Sequence, residues 1–159
     1  ILNDDNILAC SNEHILRVFD MLKRQPKRAQ FIGGIESKLM DSYWADEFKR
    51  LNPESIFVAY DESDDYEPLC QASKLFTERG MGIQTRQIRC YVLCGYPKDT
   101  LENAETRMRE VLDLNILPFA MLYRDHEGNY DLQWRRFSRL WTRLPAIMTT
   151  YKNLVAELS

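Results

Sequence analysis

The sequence lacks the features that mark several classes of protein. It has no run of about 18 apolar residues, the length that a membrane-spanning helix requires, so we expect no membrane insertion. It has no low-complexity stretch, and we expect no signal peptide at its start. Only two histidines and four cysteines occur in 159 residues, and the cysteines are scattered rather than framed. Such usage is typical of free thiols in a reducing compartment and predicts a cytoplasmic protein.

The sequence also lacks an excess of basic residues. Lysine and arginine number 21 against 24 aspartates and glutamates, a net charge of -3, which argues against broad nucleic-acid binding but leaves room for a local basic patch. A hydrophobic content of 45% indicates a globular protein with a core rather than a disordered chain. Because the first residue is Ile1 rather than methionine, we expect the chain to begin inside a longer reading frame.

What the sequence does contain is a recurring unit of a short apolar run, a turn and an amphipathic helix. Starts of these runs lie about 30 residues apart, the length of a βα unit, which favours an α/β fold with a parallel sheet. The apolar runs are 1–2, 29–32, 55–60, 88–94 and 118–123.

Helix signals lie between these runs. Ser11 is a predicted N-cap for a helix that ends before Pro26, and Thr100 is the predicted cap of a helix over 101–114. A helix over 43–51 has either Asp41 or Ser42 as its cap, and Ser63 is predicted to cap a helix closed by Gly80.

After Tyr123 the alternation stops. From Tyr130 the pattern predicts a helix, a break at Pro145 and a second helix up to Leu158. We therefore divide the chain into a βα core over 1–124 and a C-terminal helical extension over 125–159 that packs against the sheet.

Polar or glycine-rich residues follow every predicted strand. In parallel α/β folds, sites form at the carboxyl ends of strands, so these loops are predicted to share one rim. The five loops are Asp4–Asn6, Gly33–Glu36, Tyr60–Ser63, Cys94–Pro97 and Tyr123–Asp125.

Two of these loops admit both a structural and a ligand-binding interpretation. Gly33 and Gly34 either form a tight turn or let the backbone approach a ligand, with Glu36 accepting hydrogen bonds from a ribose or an amine. Asp61 either caps the next helix or binds a ligand, and Ser63 with its acidic neighbours is better placed for the cap.

The cysteines and histidines do not suggest a metal site. Cys90 and Cys94 lie on one predicted strand, about 13 Å apart, which is too far for one metal ion, and are interpreted as small core residues. His14 and His126 are isolated and are predicted to lie on the surface.

The segment from Trp134 to Arg143 is both aromatic and basic. At helical spacing Trp134, Phe137 and Trp141 share one face, and arginines at 135, 139 and 143 share another. The segment is either a helix docked on the core or a surface for nucleic acid or an acidic partner.

Five segments taken in order resemble the radical S-adenosylmethionine superfamily. The most telling is Gly95-Tyr96-Pro97-x-Asp99-Thr100, which precedes an acidic helix. The five segments are 4–8, 31–36, 57–61, 91–100 and 118–124. The resemblance implies a partial (β/α) barrel with parallel strands that binds S-adenosylmethionine and a [4Fe–4S] cluster and abstracts hydrogen from a substrate that the residues do not name.

By position, the resemblance implies cofactor contacts at three strand ends. It places Gly33, Gly34 and Glu36 near the ribose. It places Tyr60 and Asp61 at the end of the family's fifth strand. It also places Cys94, Gly95 and Tyr96 near the adenine.

One departure from the family is decisive. The sequence has no CxxxCxxC motif, whose three thiolates hold the cluster in the superfamily. We therefore expect this chain to represent the C-terminal part of the barrel, to bind no cofactor by itself and to be inactive alone. Loss of the first strands would expose a sheet edge, through which self-association is predicted.

Two non-catalytic alternatives remain. One is a phospho-acceptor receiver with Asp4, Asp5 and Asp61 on its rim, although Cys94-Gly95 and Tyr123-Arg124 stand where a receiver has Ser or Thr and Lys. The other is a protein-interaction module that uses the basic face of the segment 134–143.

Overall fold

A computed structural model describes residues 1–3 and 6–157, and over these residues it gives an α/β architecture of four strands and six α-helices. The predicted rim residues Asp4 and Asp5 lie outside the described residues. The strands are β1 (Gln30–Ile35), β2 (Ser55–Tyr60), β3 (Ile88–Cys94) and β4 (Leu117–Leu122). The helices are α1 (Asn12–Lys23), α2 (Ser42–Leu51), α3 (Tyr66–Glu78), α4 (Leu101–Asp113), α5 (Leu132–Leu140) and α6 (Leu144–Glu157). Among these helices none is both long and apolar enough to cross a membrane.

The four strands are parallel and lie side by side in chain order, β1-β2-β3-β4. Leu2 adds a parallel bridge to Phe31, so the apolar pair at the start of the chain extends the same order by one step. Parallel crossovers are right-handed, and a sequential strand order therefore puts the connecting helices on one face of the sheet. This arrangement confirms the predicted α/β fold with parallel strands.

Aromatic contacts show that the first four helices share one face. The Phe31 ring on β1 lies 5.8 Å from Phe19 of α1 and 5.2 Å from Phe48 of α2. On the same face Tyr60 contacts Tyr66 of α3 at 5.8 Å and Glu110 of α4. The main core fills the space between this face and the helices.

The opposite face of the sheet carries a cluster of aromatic side chains. Phe57 and Tyr91 stack with ring centroids 4.4 Å apart, and Phe119 meets Phe57 edge-on at 5.8 Å. The Tyr91 hydroxyl donates to the Ile32 carbonyl at 3.0 Å, and the Arg89 guanidinium lies 5.5 Å from the Phe57 ring. These contacts join all four strands across a face on which Tyr91 and Phe119 remain partly exposed.

The helix caps confirm three sequence predictions and correct one. Ser11, Asp41 and Thr100 each accept a hydrogen bond from the first turn of their helix. The prediction for Ser63 is wrong, because the Asp65 carboxylate accepts from the backbone N–H groups of Asp61 and Glu62, and α3 begins only at Tyr66.

The predicted helix break at Pro145 is also wrong. Pro145 lies in the first turn of α6, where its missing N–H leaves no intrahelical hydrogen bond unmade. The chain instead leaves the helical path between Leu140 and Leu144.

The C-terminal helices pack against the β4 side of the sheet. Phe137 and Trp141 are buried and Trp134 is partly buried, while Arg135 and Arg139 are exposed, so the aromatic face of α5 docks on the core as predicted. The Trp141 carbonyl accepts from the Ala120 N–H at 3.3 Å and so occupies part of the β4 edge. Self-association through the sheet edge on the β1 side, where the first strands are expected to be missing, stays a prediction.

Truncating Phe48 should destabilise the fold strongly. Phe48 is fully buried and packs on Phe19 and Phe31, so Phe48→Ala is expected to lower the free energy of unfolding by about 3–5 kcal/mol. Urea denaturation followed by circular dichroism measures this. Met21→Ala, at a side chain that is 46% exposed, is the control and should change stability by less than about 0.5 kcal/mol. Equal effects of the two variants would contradict this assignment of the core.

Candidate functional site

The carboxyl ends of β2 and β3 border a cleft of about 670 Å³ that α4 closes on one side. We call it the tyrosine cleft. It is lined by Tyr60, Asp61, Glu62, Ser63, Leu93, Tyr96, Asn103, Thr106, Arg107 and Glu110. The cleft brings together three of the predicted site residues, Tyr60, Asp61 and Tyr96.

The contribution of α4 to this cleft was missed by the sequence analysis. Asn103, Thr106, Arg107 and Glu110 follow the spacing i, i+3, i+4, i+7 and therefore share one face of the helix. The signal was present in the sequence as a polar stripe, but the same pattern also describes a solvated helix face.

Tyr60, at the end of β2, is hydrogen-bonded to the polar face of α4 that lines the tyrosine cleft. Its hydroxyl donates to the Glu110 carboxylate at 2.9 Å. Burial raises the pKa of the Tyr60 hydroxyl above its usual range, and the neighbouring Glu110 charge raises it further. Tyr60 therefore stays protonated and acts as a hydrogen-bond donor over the physiological pH range.

A buried ion pair holds the loop between β3 and α4. The Asp99 side chain is fully buried, and its carboxylate accepts from Arg107 at 2.9 Å, from the Gly95 N–H at 2.9 Å and from the Thr100 N–H at 3.0 Å. Arg107 also donates to the Leu93 carbonyl at 3.0 Å and lies over the Tyr96 ring at 5.5 Å. The pair thus fixes both ends of the loop that carries Tyr96.

Cys94 and Gly95 lie at the end of β3, and each is packed closely against other parts of the fold. Gly95 has φ +80°, and a Cβ there would lie 2.8 Å from the Trp134 ring, so only glycine fits beneath α5. The Cys94 side chain is buried in the core, and its sulfur lies 3.4 Å from the Met121 carbonyl oxygen. Burial raises the pKa of its thiol to about 11. The Cys94 side chain therefore does not reach the clefts, and Gly95 borders a smaller one with Tyr123 and Trp134.

A second cleft, of about 360 Å³, lies between the carboxyl ends of β1 and β2. We call it the acidic cleft. It is lined by Glu36, Ser37, Lys38, Ala59, Asp61, Asp64, Asp65 and Pro68. Glu36 forms an ion pair with Lys38 at 3.0 Å, so its carboxylate already has one cationic partner.

Asp61 belongs to both clefts. Partial burial raises the pKa of its carboxyl group, and repulsion from Asp65 and Glu62 acts in the same direction. A hydrogen bond from the backbone N–H of Leu93 opposes this rise. The side chain is left for the clefts, because the capping role at this turn belongs to Asp65.

Gly33 and Gly34 do not line either cleft. They lie in an irregular stretch where the register of β1 against β2 shifts, and Gly34 has φ +87°. A Cβ on Gly34 would meet the Tyr91 ring at 3.9 Å, so this segment borders the aromatic face of the sheet.

The described residues include no group of three or more His, Cys, Asp or Glu side chains arranged to hold a metal ion. All four cysteines are free, and Cys90 and Cys94 are core residues as predicted. The described residues therefore offer no set of thiolates that could hold an iron–sulfur cluster.

The fold and the rim define an α/β protein with clefts at the carboxyl edge of a parallel sheet. A scan of the sequence against protein-family models found no match, and searches of curated proteins and of solved structures found no significant match.

Replacing Asp99 should destabilise the protein far more than breaking an exposed ion pair. Asp99→Asn leaves Arg107, whose side chain is 13% exposed, without its counter-charge, and we expect a loss of about 3–5 kcal/mol in the free energy of unfolding. The matched control is Glu105→Gln, which breaks a pair with Arg109 that is 46% and 43% exposed, and should cost only about 0.3–0.5 kcal/mol. Urea denaturation of both variants measures the difference, and equal losses would contradict the role assigned to Asp99.

The pH dependence of stability should report the environment of Asp61. Its pKa is raised in the folded state, so the folded protein binds the proton more tightly than the unfolded chain, and stability falls as pH rises through 3.8 and beyond. Asp61→Asn removes this loss and should be at least as stable as wild type at pH 7, with its advantage shrinking in acid. Unfolding free energies between pH 3 and 7 measure this, with Gln133→Ala as a control whose difference from wild type should not depend on pH. A destabilised Asp61→Asn at pH 7 would contradict it.

Proposed function

We propose that this chain is the C-terminal part of a radical S-adenosylmethionine enzyme, and that the tyrosine cleft receives the adenosyl part of that cofactor. The observation that carries the proposal is the tyrosine cleft itself, where two parallel strand ends and one face of α4 converge. Sites in βα folds form at this edge because the loops there can vary without disturbing the sheet.

The fold supports this proposal. Strands in sequential order with α1–α4 on one face are the arrangement of an arc of a βα barrel, as the resemblance implies. Leu2 continues the order on the β1 side, where further barrel strands would pair.

The residues of the tyrosine cleft fit a nucleoside. Asp61 and Asn103 supply acceptors and donors of the kind that hold ribose hydroxyls, and Tyr96 supplies an aromatic side chain. Arg107 adds a positive charge to the lining of the cleft. When bound, S-adenosylmethionine supplies the adenosyl group used for hydrogen abstraction in this superfamily.

The residues present do not fit the iron–sulfur cluster. Cys90 is fully buried on the helix side of β3, where burial holds the pKa of its thiol well above its usual range. With no set of three thiolates among the described residues, we propose that the cluster ligands lie outside this chain, and that the chain alone is inactive.

Binding of 5′-deoxyadenosine, which carries no ammonium or sulfonium group, tests this proposal without the cluster. We expect saturable binding that is weakened about tenfold by Tyr96→Leu and by Asn103→Ala, because each removes a cleft contact of about 1.4 kcal/mol. Isothermal titration calorimetry measures the affinities. Gln133→Ala, an exposed change on α5, is the control and should bind as wild type.

Activity adds a second test of the proposal. After anaerobic treatment with iron and sulfide, and with dithionite as the electron donor, this chain should form no cluster chromophore and should not cleave S-adenosylmethionine. A longer protein that includes the preceding coding region should do both. Absence of nucleoside binding to this chain, or of a cluster in the longer protein, would overturn the proposal.

A further inference from the structure

The acidic cleft carries an excess of negative charge that the protein itself does not neutralise. Four carboxylates line it, from Glu36, Asp61, Asp64 and Asp65, against the single ammonium of Lys38. Lys38 pairs with Glu36, and no ion pair within the described residues involves the other three carboxylates. Repulsion from Asp65 contributes to the raised pKa of Asp61, which is consistent with a missing cation.

Ser37 provides a second, independent indication of a ligand. It is 7% exposed, lines the same cleft, and its hydroxyl oxygen is buried with no hydrogen-bond partner among the described residues. Buried hydroxyl groups are nearly always hydrogen-bonded, because leaving one unpaired loses the hydrogen bonds that it made to water.

The chemistry of the cleft selects the kind of ligand. The carboxylates disfavour an anion, and the described residues form no metal-binding group. A ligand that satisfies both the carboxylates and a hydroxyl group must carry positive charge and donate several hydrogen bonds. A primary ammonium group does both, since it has a full charge and three N–H donors.

We propose that the acidic cleft binds the primary ammonium group of a small organic molecule, with Asp61, Asp64 and the Ser37 hydroxyl as its acceptors. A volume of about 360 Å³ suits a short alkylamine. The proposal does not rest on the proposed function, because only Asp61 is shared between the two clefts.

Three probes with the same butyl chain separate charge from hydrogen bonding in the test. They are n-butylammonium, butyltrimethylammonium, which keeps the charge but has no N–H donor, and n-butanol, which has no charge. Titrations followed by ¹H–¹⁵N NMR should show saturable shifts at the amides of Ser37 and Asp61 with n-butylammonium. The other two probes should bind about tenfold more weakly.

Variants locate the binding. Asp61→Asn and Ser37→Ala should each weaken n-butylammonium binding, by about tenfold for the carboxylate and about threefold for the hydroxyl. The control is Glu67→Gln, which neutralises an exposed carboxylate on α3 outside both clefts and should leave binding unchanged.

Three outcomes would overturn the inference. They are equal binding of all three probes, equal affinities of Asp61→Asn and Glu67→Gln, and shifts spread over the surface, which mean adventitious binding only. Tyr96→Leu separates the two proposals, because it should weaken 5′-deoxyadenosine and leave n-butylammonium unaffected. Loss of one ligand's binding with retention of the other therefore overturns only the corresponding proposal.

Discussion

The buried ion pair between Asp99 and Arg107 is the interaction on which the rim depends. Asp99 receives two backbone N–H groups and one guanidinium, and Arg107 in turn holds the Leu93 carbonyl and covers the Tyr96 ring. A charge removed from water is strongly destabilising when its counter-charge is lost. The ion pair therefore fixes the end of β3, the loop after it and the start of α4 relative to one another. This arrangement determines the shape of the tyrosine cleft.

The two clefts differ in the partners that surround their carboxylates. In the tyrosine cleft, the Glu110 carboxylate accepts a hydrogen bond from the Tyr60 hydroxyl. In the acidic cleft, Asp61 has partial burial and like-charged neighbours, and the Ser37 hydroxyl has no partner among the described residues. A repelled carboxylate and an unpaired hydroxyl lower the free energy of unfolding, and such groups are expected at sites where ligand binding is selected over stability. Asp61 borders both clefts, so a change at this residue affects both of them.

Much of the fold followed from local patterns. The strands β2 and β3 and the caps at Ser11 and Thr100 were predicted because short apolar runs and cap side chains act over a few residues. The cap at Ser63 was predicted wrongly because Asp65 competes for the same turn, and its longer side chain reaches back to the N–H groups of Asp61 and Glu62. Proline breaks a helix when it lies in the interior but is favoured in the first turn, where Pro145 lies. The sequence alone did not distinguish a helix break from a helix start at this residue.

The sequence by itself determined the alternation of strands and helices, and therefore which residues stand at strand ends, because both depend on neighbours close along the chain. Only the tertiary structure decided which of those residues meet. Tyr60 and Glu110 are 50 positions apart, and they are in contact because the fold brings one face of α4 to the end of β2. The same holds for Gly95, whose surroundings are set by Trp134. Ser37 shows no signal in the sequence, since burial and the loss of a hydrogen-bond partner arise only when β1, β2 and the following turns pack together.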